Sequence, residues 1–148
     1  MSTSMIAVPQ AVSRRVRKTI TFDGSAGNGA VGTVAVFTVS GHINLTRLVA
    51  VCTVDLAGAT ATIQLGTVTF TGGIIGASTA TNFVAGEIWY ATNPIGTVAT
   101  VHNMNSNMAR QTILFENVQI TVVTAAVTAG TLIFDAWWTP LTAGSTLT

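Results

Sequence analysis

The residues able to do chemistry are few and scattered. Gly27-Asn28-Gly29-Ala30-Val31-Gly32 matches G-x-G-x-x-G. As a dinucleotide fingerprint it needs a helix beginning at its end, so that the helix N-terminus meets a pyrophosphate. The following segment, TVAVFTVS, alternates apolar and polar residues like a strand, so a glycine-rich loop is the preferred reading. His42 and His102 stand alone, with no neighbour at metal-ligand spacing. Ser106 lies near His102 but in no nucleophile elbow. Asp23, Asp55, Glu87, Glu116 and Asp135 are single acids, so spacing alone yields no carboxylate pair. Cys52, the one cysteine, excludes an intrachain disulfide and reads as a small buried hydrophobe. Asn44-Leu45-Thr46 is a sequon inside a strand pattern and is read as a chance match. No catalytic, cofactor or metal site is expected.

Two features suit contact rather than catalysis. Arg14, Arg15, Arg17 and Lys18 form a basic run, able to grip carboxylates in bidentate fashion or make a few phosphate contacts. Trp89-Tyr90 and Trp137-Trp138 are the dense aromatic pairs. Adjacent strand residues face opposite ways, so one member of each pair can pack inside and the other face out. An outward tryptophan would anchor a protein contact or stack on a sugar. Candidate partner-binding residues are therefore Arg14, Arg15, Arg17, Lys18, Trp89, Trp137 and Trp138.

The elements that must position these residues are strands. Of 148 residues, 55 are Thr, Val or Ile, a β-branched share that disfavours helices. Val16 to Phe22 alternates, and Asp23–Gly32 is a loop. Strands are predicted over Thr33–Val39, Ile43–Leu56, Thr60–Leu65 and Thr67–Thr71, the last two broken at Gly66. Residues 74–87 have weak periodicity. Glu87–Ala91 and Val98–His102 are short candidates, separated by a turn at Asn93-Pro94. Ile113–Val123 and Thr131–Thr139 alternate clearly, and Pro140 is expected to end the latter before a fraying tail. The expectation is an all-β single domain, a β-sandwich or barrel (jelly-roll-like) of about eight or nine strands, with first and last long strands paired. Residues 1–15 would be an extended N-terminal arm, 16–141 the β domain and 142–148 a C-terminal tail.

Composition limits the function classes. Six cations and five acids are far fewer than the roughly 25% charged residues of an average soluble domain. Such apolarity opposes disorder, and scarce Lys, Glu and Leu oppose a coiled coil. Six cations cannot build a broad basic face, so no specific nucleic-acid binding is expected. No apolar run of 18 residues and no standard secretory signal is legible, so no membrane partner is expected. Missing aromatic girdles oppose an outer-membrane barrel. The residues from 56 to 86 carry no formal charge. A surface so poor in charge is best explained if other copies of the chain or another protein cover it, and a homo-oligomer is expected.

The segments KTITFDGSAGNGAVGTVAVFTVSG, LVAVCTVDLAGATATIQLG and GTLIFDAWWTPL resemble those of small Thr/Val/Ala/Gly-rich structural proteins of tailed bacteriophages, of the capsid decoration (cement) type. The resemblance covers most of residues 18–141. It implies a non-enzymatic virion protein, made in the host cytoplasm, that binds the major capsid protein on the capsid surface, typically as a trimer with an N-terminal arm over neighbouring subunits. Two other roles fit the same segments: a tail or head–tail joining component, and a carbohydrate-binding or host-attachment module using an outward Trp.

Overall fold

The computed structural model describes residues 12–89 and 112–148. The sequence candidates at Tyr90, Asn93-Pro94, Val98–His102 and Ser106, and the arm up to residue 11, lie outside the described residues.

The chain is nearly all β, with eleven strands among the described residues rather than eight or nine. These are β1 (Arg14–Thr21), β2 (Gly32–Phe37), β3 (Val39–Ser40), β4 (Ile43–Ala57), β5 (Thr62–Thr67), β6 (Ile75–Thr79), β7 (Ile88–Trp89), β8 (Thr112–Leu114), β9 (Val118–Val123), β10 (Ala129–Pro140) and β11 (Thr146–Leu147). One short 3₁₀ turn covers Ala80–Asn82. Two larger antiparallel sheets run β1-β10-β4-β7, with β8 also on β4, and β2-β9-β5-β6. A small pair joins β11 to β3. The expected pairing of the first and last long strands is present: β1 runs antiparallel to β10 from Arg14↔Trp138 to Thr21↔Thr131.

Alternation explains the core. On β10, Leu132, Phe134, Ala136 and Trp138 are buried, while Ile133, Asp135 and Trp137 are only partly covered. On β9, Val118, Ile120 and Val122 are buried. These side chains join Phe22, Phe37, Leu48, Ile63, Leu65 and Trp89 in one buried cluster fed by both larger sheets. Period two in a strand yields one apolar face, and burying it against another sheet supplies the main stabilisation.

Several boundaries differ from the sequence expectation. The strand over 33–39 divides at Thr38, whose N–H and C=O pair with Thr148. The run 113–123 divides at residues 115–117, so that β8 joins β4 while β9 joins β2 and β5. Both divisions coincide with a lapse in alternation: Val36 and Phe37 are consecutive buried residues, and Ile113-Leu114-Phe115 is an unbroken apolar run before Glu116-Asn117. Gly66 lies inside β5 and does not break it. A Cβ there would sit 2.1 Å from the Phe70 carbonyl oxygen, so glycine admits a close return of the chain. The tail does not fray: Thr146 and Leu147 pair with Ser40 and Val39, and Leu147 is buried. At the other end, β1 begins at Arg14, so Arg14 and Arg15 belong to a strand, not to an arm ending at residue 15.

Candidate interaction site

The glycine motif is a loop closed by its own backbone. The N–H groups of Asn28 and Ala30 both donate to the Ser25 carbonyl, and Val127 N–H donates to the Gly29 carbonyl. Asp23 caps the turn by accepting from Ser25 N–H at 2.8 Å, and bonds from Ser25 hold its carboxyl below its usual range. No helix begins at Gly32, where β2 starts, so no helix N-terminus is present to receive a phosphate. Cys52 is fully buried, and burial, followed by the nearby charges of Asp55 and Glu87, pushes its thiol up to about 11. That is the state of an unreactive core thiol. Among the described residues no group of three His, Cys, Asp or Glu could hold a metal ion, and no helix is long and apolar enough to cross a membrane.

The basic run and the last aromatic pair are brought together. Register places Arg15 opposite Trp137 and Arg17 opposite Asp135 on β1 and β10, and Trp137 opposite Arg47 on β4. The Arg15 and Arg47 guanidinium carbons lie 5.2 and 4.9 Å from the Trp137 ring centroid. Asp135 receives Arg15 Nη2 at 2.7 Å and Arg17 Nη2 at 2.7 Å, with further bonds from both Nε atoms. The hydrogen bond from Arg17, then that from Arg15, hold the Asp135 carboxyl below its ordinary value against the opposing effect of burial. The same carboxylate raises the pKa of Arg17. The product is a row, Arg15–Trp137–Arg47, flanked by Arg17 and Asp135.

Four other predicted contact residues, Arg14, Lys18, Trp89 and Trp138, do not join this row. Trp89 is fully buried; Phe83 and Phe134 meet its ring edge-on at 5.4 and 6.3 Å, and its Nε1 donates to Ser78 Oγ at 3.0 Å. As a saturated core residue it cannot anchor a partner, and the expectation for it is corrected. Trp138 takes the inward position on β10 and is buried, with Arg14 lying 5.2 Å over its ring. It too is core, because its neighbour Trp137 occupies the outward position. Lys18 is exposed at an even-numbered β1 position, out of step with Arg15 and Arg17.

A second feature was not legible in the sequence. Phe70, Ile113 and Phe115 are exposed, Phe70 by 71% and Phe115 by 65%, and line a groove of about 320 Å³. The ring of Phe70 lies against Gly73, where a Cβ would come within 2.2 Å of it. Glu116 fixes the rim by accepting from Thr69 N–H at 3.0 Å and Thr69 Oγ1 at 2.6 Å, which lowers its pKa. The tilted ring of His42 stands 6.0 Å from Phe115. In the sequence, Ile113 and Phe115 were hidden within an alternating strand pattern that could not say which face was covered.

No family model, no curated protein and no solved structure matches the chain.

Proposed function

We propose that the protein is a non-enzymatic virion structural protein that binds and stabilises the outside of a phage capsid, as a decoration or cement protein. In this reading the two larger sheets make a jelly-roll-like β-sandwich, and the working form is a homo-oligomer, with a trimer favoured. The observation carrying it is the exposed apolar rim of Phe70, Ile113 and Phe115 on a chain with only eleven charged residues. An aromatic side chain offers roughly 150–250 Å² for burial. Apolar burial contributes about 25 cal/mol per Å² before association costs are subtracted. Repetition over a shell turns such modest contacts into avidity. The Trp137 ring, already engaged by two guanidiniums, favours protein docking over sugar stacking.

The test is the double variant Phe70→Asp/Phe115→Asp, compared with the unaltered chain by sedimentation and by occupancy on purified phage shells. Unaltered protein should sediment as an oligomer and decorate shells; the variant should lose both while keeping its circular dichroism. A stable monomer at micromolar concentration that also ignores shells would end the proposal. Deleting residues 1–11 tests the arm separately, because this truncation leaves β1 whole.

A further inference from the structure

We infer that the Arg15–Trp137–Arg47 row, with Arg17 beside it, is a docking surface for a carboxylate-rich segment of a partner protein. The inference rests on the reading that this protein works bound to other proteins, and it specifies the chemistry of one contact. Three of the chain's six cations converge here, and Arg47 comes from a strand remote in sequence from the basic run.

The chain's own carboxylates are already engaged. Asp23 accepts from Ser25 N–H, Asp55 from Ala85 N–H, Glu87 from Val84 N–H and Glu116 from Thr69 N–H. Asp135 is shared between Arg15 and Arg17. The guanidinium of Arg47 has no ion pair among the described residues, and its side chain is exposed. Arg15 and Arg17 keep 50% and 58% of their side chains exposed despite their shared partner. The face therefore has guanidinium donors in excess of its carboxylates, and an incoming acid completes the balance.

Geometry favours a carboxylate-bearing protein over a nucleic acid. The row spans three adjacent strands, about 10 Å across at ordinary strand spacing. Two of the three guanidiniums are shared with Asp135, so the face offers few phosphate contacts, too few for a nucleic-acid backbone. Planar guanidinium forks match single carboxylates in bidentate fashion. Stacking against Trp137 restrains Arg15 and Arg47 before binding, which lowers the ordering cost.

The experiment is a calorimetric titration of the full chain with octaglutamate at low ionic strength, beside octaglutamine and octathymidylate. Octaglutamate should bind, weaken as salt is added, and bind about tenfold less tightly to Arg47→Gln. Arg47→Lys, which keeps the charge but not the fork, should fall between. Circular dichroism and thermal unfolding of both variants check that they are folded, as expected for an exposed position. Phe70→Asp/Phe115→Asp should bind octaglutamate normally, so failure of the covered-rim reading is read separately. Equal binding of octaglutamate and octaglutamine, no effect at Arg47 with folded variants, or tighter binding of octathymidylate would each overturn the inference.

Discussion

Arg47 and Trp137 stand opposite each other on β4 and β10, the guanidinium carbon 4.9 Å from the ring centroid. Arg15 reaches the same ring from β1 on the other side of β10. A three-strand register thus joins two cations that sequence spacing keeps unrelated. Each cation–π contact at an exposed site is worth about 0.5–1 kcal/mol, so the row orients the guanidiniums more than it stabilises the fold.

Acid should expose the role of Asp135. Its pKa is depressed below the ordinary 3.8, chiefly by the hydrogen bond from Arg17. A depressed carboxylate contributes stability fully above its unfolded value and loses that contribution as pH falls through the folded value. Asp135→Asn should cost roughly 1 kcal/mol at neutral pH, a figure kept small because both arginines are half exposed. The gap from the unaltered chain should shrink below about pH 4. Urea unfolding across that range measures it, and a gap independent of pH would contradict the assignment.

Gly66→Ala should destabilise the protein by about 1–3 kcal/mol through overpacking. The added Cβ would meet the Phe70 and Thr71 carbonyl oxygens at 2.1 and 2.4 Å, and backbone atoms cannot step aside as a side-chain tip can. Chemical denaturation reads the loss. If Gly66 were an open break in the chain, the substitution would be neutral or stabilising.

Leu147→Ala should lower stability by about 2 kcal/mol, near the low end for a buried leucine because a chain end can partly collapse. Removing residues 146–148 should cost more, since it also removes β11 and the Thr38–Thr148 hydrogen bonds. Thermal unfolding distinguishes this from a frayed tail, for which both changes would be silent.

Much of the β architecture could be read from alternation. The inward set Leu132, Phe134, Ala136, Trp138 and the outward set containing Asp135 and Trp137 follow directly from period two. What alternation cannot register is which sheet a strand joins: the lapses at Val36-Phe37 and at residues 113–117 mark irregularity but do not say that the chain turns a corner there. Period two predicts that each aromatic pair is split between inside and outside. That holds for Trp137 and Trp138, and Trp89 takes the inner place, with Ser78 satisfying its indole N–H. The basic run was legible as charge, but its partner Asp135 and its companion Arg47 are products of pairing between distant strands. The apolar rim was least legible, since an exposed phenylalanine and a buried one look alike in a sequence.

The pairing of β1 with β10 has a consequence for how the molecule is made. More than a hundred positions separate Arg14 from Trp138, so the edge strand must wait for almost the whole polypeptide to leave the ribosome before it finds its neighbour. High contact order of this kind slows folding. Until then, the edge of β4 lacks the strand partner that β10 supplies, and nascent chains are most open to chaperones or to swapping strands with one another during that interval.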